Sequence, residues 1–320
     1  TEITSLVLFL LIVIVVRQAT YSLTKYSSLN PKASDLMVLL PQGTNQKLVL
    51  ENGIKNNDTP LLCLATSVIT KKSKNKTVAQ RNTITSLNAL PRTRVIVFTD
   101  SPSWLQYCKS MGFASSNSYE RNNCNTPFFK SMIQILQSTY TCEFYGYVNG
   151  DILLSSTIID VLSNISLFIR KGLLHQRVLI TGRRVNGEIP RLSSISSSFS
   201  KNDITIELMK KRGTLFREDA LDYFVFTSST YNLSSLLDVV IGRPLYDNYL
   251  LHIISNDTEA DLVDATESVT AFHQTDEDGI FAGHKPKEDL NWNRKLIKKQ
   301  FVLGNTNFSE IGRASCRERV

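Results

Sequence analysis

The sequence has few of the residues that mark zinc fingers and disulfide-rich scaffolds, and it lacks the basic stripe of a nucleic-acid-binding surface. Of its 320 residues only four are His and five are Cys, and the spacing of the cysteines fits no zinc motif. Lys and Arg exceed Asp and Glu, giving a net charge of +7, but they form no basic stripe interleaved with aromatic residues. We therefore predict no nucleic-acid partner. A mildly basic surface is compatible with an anionic small ligand.

Long apolar runs are also scarce. The most prominent one, Leu6 to Val16, is followed by Arg17 and is shorter than the roughly 20 residues that span a bilayer. We predict that residues 1–17 are the end of a truncated signal-anchor and that 18–58 form a polar stem. A cleaved signal peptide and a buried helix are the alternatives for the apolar run.

The cysteines leave two alternatives open. Residues 310–320 can be encoded by a common sequencing adapter, so we predict that they are an artefact. Without them four cysteines remain, which allow two disulfides in three connectivities in a secretory context, or buried thiols in a reducing compartment. Six Asn-X-Ser/Thr sequons agree with a lumenal, glycosylated domain; they begin at Asn57, Asn75, Asn164, Asn232, Asn256 and Asn307.

Between residues 59 and 303, buried-strand patterns alternate with helical patterns, and 304–320 is predicted to be a tail. Apolar runs at 61–69 and 94–99 predict strands, whereas apolar residues at helical spacing predict helices over 77–90 and 157–170. This alternation predicts an α/β domain with a mostly parallel, Rossmann-like sheet covered by helices on both faces. Because crossover connections are right-handed, the carboxyl ends of the strands are expected to share one rim.

The stretch from Glu143 to Leu154 is the centre of the predicted site. A buried strand, Phe144 to Val148, stops at Asn149-Gly150-Asp151, which places a carboxylate at the end of a core strand beside a glycine that lets a ligand come close. Hard cations prefer oxygen ligands, so Asp151 and the Asn149 carbonyl are candidates to bind Mg²⁺ or Mn²⁺ carrying a diphosphate. The alternative is ordinary turn chemistry.

Three more polar residues are expected near the same rim. Asp100 ends the second strand and is equally compatible with a nucleotide contact or a position beside a helix N-cap. Arg183 follows a short strand and would neutralise a diphosphate, unless it is a solvated loop residue. Asp247 is expected near the N-terminus of a helix, where a carboxylate is favourable, so a capping role is its plainest interpretation.

Five short blocks occur in an order that resembles glycosyltransferases of the GT-A type. More narrowly, they resemble a group of mostly uncharacterised GT-A-like proteins, over roughly residues 60–296. The blocks are Asn149 to Ile152, Asp222 to Phe226, Ile241 to Asn248, Asp264 to Thr266 and His273-Gln274.

The resemblance implies roles for individual residues. Asn149-Gly150-Asp151 would take the place of the metal-binding Asp-X-Asp motif, with His273 as a late metal ligand. Asp247 would be the catalytic carboxylate facing the acceptor. The sequence departs from the group's pattern in having Asn149 as the first residue of the motif and Asp276 where a second histidine often stands.

The function implied is metal-dependent transfer of a sugar from a nucleotide-diphosphate donor to a hydroxyl on a glycan, glycoprotein or glycolipid. Mn²⁺ or Mg²⁺ is the expected cofactor, and Asp100, Arg183, Arg243 and Lys285 are the expected nucleotide-binding residues. With an anchor ahead of the domain, the resemblance implies a single-pass type II protein of the Golgi or ER membrane with a lumenal catalytic domain. A catalytically inactive carbohydrate-binding or scaffold protein is the main alternative, and a soluble nucleotidyltransferase is a third.

Overall fold

The computed structural model describes residues 60–69, 73–277, 279, 284–297 and 304–309. The predicted signal-anchor, the stem and the C-terminal artefact all lie outside these residues. Among the described residues, no helix combines the length and the apolar character needed to cross a bilayer.

Strands and helices alternate along the described chain, as the sequence pattern predicts. In chain order they are β1 (Leu62–Ser67), α1 (Lys74–Asn88), β2 (Thr93–Phe98), α2 (Pro102–Met111), β3 (Ser115–Ser116), α3 (Phe129–Thr139), β4 (Phe144–Asn149), β5 (Ile152–Leu154), α4 (Thr157–Arg170), β6 (Arg177–Thr181), β7 (Arg184–Glu188), a 3₁₀ turn (Leu192–Ser194), α5 (Phe199–Lys210), β8 (Thr214–Leu215), β9 (Tyr223–Thr227), α6 (Tyr246–Ser255), β10 (Ala260–Asp264), β11 (Ala271–Thr275), α7 (Trp292–Leu296) and a second 3₁₀ turn (Thr306–Phe308).

The main sheet has seven strands in the order β10-β6-β9-β4-β1-β2-β3. Every neighbouring pair is parallel except the two that involve β9, which runs antiparallel to β4 and to β6. The predicted α/β class with a mostly parallel sheet is therefore confirmed. Because β9 is reversed, its first residues lie at the same edge as the last residues of β4 and β6.

Helices cover both faces of this sheet because side chains alternate along each strand. On one face Phe144 and Val148 of β4 belong to a cluster with α4, whose apolar residues recur at helical spacing from Ile158 to Ile165. On the other face Tyr145 and Tyr147 belong to a cluster with α3 and α6. Each fully buried aliphatic side chain of these clusters contributes about 1.5–3 kcal/mol to folding by the usual area relation.

A second, four-stranded sheet in the order β5-β11-β7-β8 lies beyond the end of β4. Strand β11 pairs antiparallel with β5, where His273 faces Ile152, and parallel with β7. The sequence predicts a flexible serine-rich loop over 192–200 and a short helix over 207–212, and both boundaries are wrong. Helix α5 begins at Phe199, because Asn202 bonds in both directions with the backbone of Ser196 and closes the preceding turn.

One disulfide joins Cys63 of β1 to Cys142, just before β4. Cys108 is a buried thiol and Cys124 is a half-buried thiol. The described residues thus contain one disulfide and two thiols, so each of the two alternatives that the sequence leaves open holds for part of the cysteines.

The start of the predicted tail packs on the domain. The Gly304 N–H donates to the carbonyl oxygen of Asn248 in α6 at 3.1 Å, and the Ser309 hydroxyl donates to the carbonyl oxygen of Leu262 in β10 at 3.0 Å. Residues 304–309 therefore belong with the α/β domain.

Candidate functional site

Gly150 fixes the turn between β4 and β5. A Cβ atom on this residue would lie 2.3 Å from the carbonyl oxygen of Ser67, far inside van der Waals contact. From its place in the sequence, this glycine is expected to let a ligand come close, whereas in the structure it lets the β1 backbone come close. The close fit fixes Asp151 at the carboxyl edge of the sheet.

Asp151 is an ionised carboxylate in a partly buried position. Its Oδ2 contacts the Lys76 ammonium of α1, and His273 Nε2 lies 3.8 Å from the same oxygen. Burial alone would raise the pKa of Asp151, but the charges of Lys76 and His273 and the hydrogen bond from Lys76 outweigh it and hold the pKa well below its usual range. The carboxylate therefore carries a negative charge throughout the neutral pH range.

His273 is close to Asp151 and almost fully buried, with 6% of its surface exposed. Burial lowers the pKa of His273, and the nearby carboxylate of Asp151 offsets only part of that effect. Its Nδ1 lies 3.4 Å from the hydroxyl of Thr275. The imidazole is therefore neutral at pH 7, the form that binds metal ions.

Asn149, the third residue of the predicted metal set, is engaged with its neighbours. Its side-chain amide donates to the Asp222 carboxylate, and its side-chain oxygen accepts from the Tyr246 hydroxyl at 3.1 Å. The structure thus brings Asp151 and His273 together, while Asn149 joins the end of β4 to Asp222 and to α6.

A buried ion pair that the sequence patterns do not predict lies beside this group. Arg184, 7% exposed, pairs with Asp222 and lies over the ring of Phe216 at 4.5 Å. Its predicted neighbour Arg183 instead donates from Nε to the carbonyl oxygen of Phe216 at 2.6 Å and is not among the described residues that line the cleft. Successive residues project to opposite sides of an extended chain, so the choice between the two arginines depends on strand orientation.

Asp247 lies in the first turn of α6, as predicted, and lines the same cleft. The Leu221 N–H donates to its Oδ2 at 3.3 Å. Burial raises the pKa of Asp247 to about 7, and the negative charge of Asp222 acts in the same direction, against the backbone hydrogen bonds. Leu245, just before the helix, has φ 78°, an unfavourable left-handed conformation for a branched residue.

Arg243, predicted to bind the nucleotide, lines the cleft and is anchored by Asp289. Its Nε donates to Asp289 Oδ1 at 2.5 Å, and its NH2 group donates to the Thr126 hydroxyl at 3.1 Å. Burial opposes ionisation of Asp289, but the bonds from Arg243 and Thr126 outweigh it and lower the pKa to about 2.

The other two predicted nucleotide-binding residues lie outside the cleft lining. Asp100 is exposed and accepts a hydrogen bond from Asn125, which does line the cleft. Lys285 is exposed, whereas its neighbours His284 and Lys287 contribute to the lining.

The cleft has a volume of about 810 Å³, within the range of small-molecule sites. It opens at the carboxyl edge of β1 and β4, where open α/β sheets bind ligands. Its polar lining includes Lys76, Asn149, Asp151, Arg184, Asp222, Arg243, Asp247 and His273.

The same cleft contains a cation of the protein itself. Lys76 Nζ contacts Asp151 and lies 3.7 Å from Asp276 Oδ2, so two carboxylates approach one ammonium, with His273 beside them. In the described part of the chain, no three Asp, Glu, His or Cys side chains form a ready-made metal centre. Carboxylate and imidazole donors nevertheless suit Mn²⁺ or Mg²⁺ chemically, and the position between the two carboxylates already accepts a positive charge.

No protein-family model and no curated protein matches the chain. Among solved structures, S. aureus TarS 1-349 in complex with UDP-GlcNAc is similar with 13% identity and a TM-score of 0.45, over 74% of this chain and 65% of that chain. CMP:2-keto-3-deoxy-manno-octonic acid synthetase complexed with CTP is similar with 13% identity and a TM-score of 0.34, over 64% of this chain and 91% of that chain. The chain thus spans slightly less than two thirds of the TarS fragment, and no activity follows from similarity at this level.

Proposed function

We propose that the protein is a glycosyltransferase that moves a sugar from a nucleoside-diphosphate donor to a hydroxyl of a glycan, glycoprotein or glycolipid. One observation carries the proposal: a single cleft is lined both by the cations Lys76 and Arg184 and by a carboxylate, Asp247, whose pKa of about 7 suits a base.

The cations would act on the donor. Breaking the bond between the sugar and the diphosphate leaves the electron pair on a phosphate oxygen, so negative charge grows there as the bond breaks. Lys76, Arg184 and Arg243 all line the cleft. Their positive charges would stabilise the negative charge of the departing diphosphate. Fixed positive groups in a site of low water content are the most effective way to do so.

Asp247 would act on the acceptor. A pKa of about 7 leaves roughly half of the carboxylates ionised at neutral pH. The carboxylate would take the proton of the acceptor hydroxyl as that oxygen bonds to the anomeric carbon, while the diphosphate leaves from the opposite side. This arrangement inverts the configuration of the sugar.

We further propose Mn²⁺ or Mg²⁺ as the cofactor, held by Asp151, Asp276 and His273. The donor types fit, because Asp151 Oδ2 and Asp276 Oδ2 both approach the Lys76 ammonium and His273 Nε2 lies 3.8 Å from Asp151 Oδ2. A divalent cation bound there would supply Lewis-acid stabilisation of the departing diphosphate. Asn149 would keep Asp222 and Tyr246 in place through its hydrogen bonds.

The experiment measures nucleotide binding and transfer with the full chain. We expect titration calorimetry to detect UDP or GDP binding, and Asp247→Asn to retain that binding while losing donor hydrolysis and transfer. Asp160→Asn, an exposed position on α4, is the control and should change neither. If no nucleotide binds with or without Mn²⁺, the proposal is wrong.

A carbohydrate-binding or scaffold protein without catalysis is the second candidate. The observation that favours it is the lysine ammonium between the carboxylates that would hold the metal. Binding of glycans without hydrolysis of any common donor would support this alternative.

We also propose the Golgi or ER lumen as the location of the domain, with residues 1–17 as its membrane anchor. The Cys63–Cys142 disulfide supports this proposal, because such bonds persist in oxidising compartments. Sensitivity of the expressed protein to endoglycosidase, with protection from protease in intact microsomes, is the expected result. An unglycosylated, protease-sensitive protein would contradict it.

A further inference from the structure

Lys76 lies where a metal cofactor would be expected. It belongs to the first turn of α1, which begins after Ser73, whose hydroxyl accepts the Lys76 N–H at 3.1 Å. This cap fixes the start of the helix and directs the lysine to the carboxyl edge of the sheet. Only 11% of its side chain is exposed, and Nζ contacts Asp151 Oδ2.

Two carboxylates from distant segments approach the Lys76 ammonium. Asp151 Oδ2 contacts Nζ, and Asp276 Oδ2 lies 3.7 Å from it. The Asp151 and Asp276 side chains are 17% and 5% exposed. The ammonium thus lies where two largely buried carboxylates face one position, and carboxylate oxygens are the ligands that hard divalent cations prefer.

The imidazole of His273 adds a donor that the ammonium does not use. Its Nε2 faces Asp151 Oδ2 at 3.8 Å, beyond hydrogen-bonding distance, and the side chain is more than nine-tenths buried. An ammonium has no empty orbital to accept the nitrogen lone pair, whereas Mn²⁺ does. The cluster is therefore better matched in donors to a divalent cation than to the lysine.

We propose that Lys76 is the resident cation of this cluster and that a divalent cation binds to Asp151 and Asp276 only when the ammonium moves away into the cleft. Lys76 already lines that cleft, so the displaced ammonium would reach the phosphates of a bound nucleotide. Metal and nucleotide would then strengthen each other's binding, because each stabilises the displaced position of Lys76. This last step alone rests on the proposed function.

The first experiment measures Mn²⁺ binding to the full chain without nucleotide, by electron paramagnetic resonance of the free ion. Lys76→Met removes the ammonium and should tighten Mn²⁺ binding at least tenfold. Lys74→Met, an exposed lysine on the same helix, should leave the affinity unchanged. Adding Asp151→Asn to Lys76→Met should abolish the gain.

Lys76→Arg separates the loss of charge from a general disturbance of the helix. It keeps a cation at the position and should retain wild-type Mn²⁺ affinity. An unchanged or weaker affinity in Lys76→Met would overturn the proposal, as would the absence of Mn²⁺ binding in every variant. If Lys76→Met does not fold, Lys76→Gln takes its place with the same expected tightening.

The second experiment repeats the Mn²⁺ titration with saturating UDP. The wild-type protein should bind Mn²⁺ more tightly with UDP than without it, and Lys76→Met should lose most of that difference. Equal coupling in both proteins would overturn the displacement step. If UDP binds to no variant while the gain in Lys76→Met persists, the proposed function fails and the role of Lys76 stands.

Discussion

Asn149 and Asp222 are joined by two hydrogen bonds, one between backbones and one between side chains. The Asn149 N–H donates to the carbonyl oxygen of Asp222 at 2.9 Å, and the Asn149 amide donates to the Asp222 carboxylate. Asn149 ends β4 and Asp222 precedes β9, which runs in the opposite direction. The pair therefore brings a carboxylate from the start of one strand to the edge where its neighbour ends.

Asp222→Ala should strongly destabilise the protein because it leaves Arg184 as a buried charge without its carboxylate. Both side chains are 9% exposed, and breaking a buried pair on one side costs about 3–5 kcal/mol. Equilibrium unfolding in urea would measure the loss. Asp219→Ala, which removes the partner of the exposed Arg217, is the control and should change stability little; similar losses in both variants would refute the prediction.

Asp247 should make both activity and stability depend on pH. Its pKa is about 7 in the folded protein and 3.8 when unperturbed, so the folded state holds the proton more tightly. The unfolded state loses its proton first as the pH rises, and the folded state is penalised increasingly between about pH 4 and pH 7. Asp247→Asn should remove this penalty, stabilising the protein at pH 8 by on the order of 4 kcal/mol and hardly at all near pH 4.

Thermal or urea unfolding of Asp247→Asn and wild type across this pH range would test whether the variant's stability advantage grows as the pH rises. A stability difference that does not vary with pH would contradict the assignment. In the wild type, kcat/KM for sugar transfer should rise through about pH 7 as the base ionises.

The left-handed backbone conformation at position 245 should be less favourable for leucine than for glycine. Its φ of 78° places a Cβ-bearing residue in the left-handed region, which costs roughly 1–2 kcal/mol. Leu245→Gly should therefore be more stable than Leu245→Ala by about 1 kcal/mol, since both variants lose the same packing. Urea unfolding of the two variants gives the comparison, and a more stable alanine variant would show that the backbone relaxes.

The disulfide pairing gives a chemical prediction. Non-reducing peptide mapping should recover Cys63 linked to Cys142, which are separated by 79 residues, with Cys108 and Cys124 as free thiols. Burial raises the pKa of Cys108 to about 11, against weaker effects of its hydrogen bonds, so alkylation of the folded protein should be slow there. A linked peptide that contains Cys108 or Cys124 would contradict the pairing.

The sequence by itself determined where the main strands and helices lie and where β4 ends. Helix α4 spans Thr157–Arg170, as predicted. Asp151 lies just after the buried strand β4, which the sequence also predicts. These features depend on local patterns. Apolar residues repeat every two residues in strands and about every 3.6 residues in helices, and turn residues end each pattern. The resemblance, and no local pattern, predicts a role for His273, and the structure places it beside Asp151.

Only the tertiary structure decided which charged side chains meet in the cleft. Lys76 is 75 residues from Asp151 in the chain, and local patterns do not encode such a contact. The choice of Arg184 over Arg183 depends on the orientation of β7, and the position of Asp222 depends on the reversal of β9. Strand direction and register are set by packing between distant segments, so the sequence located the edge of the sheet but not the set of ions assembled there.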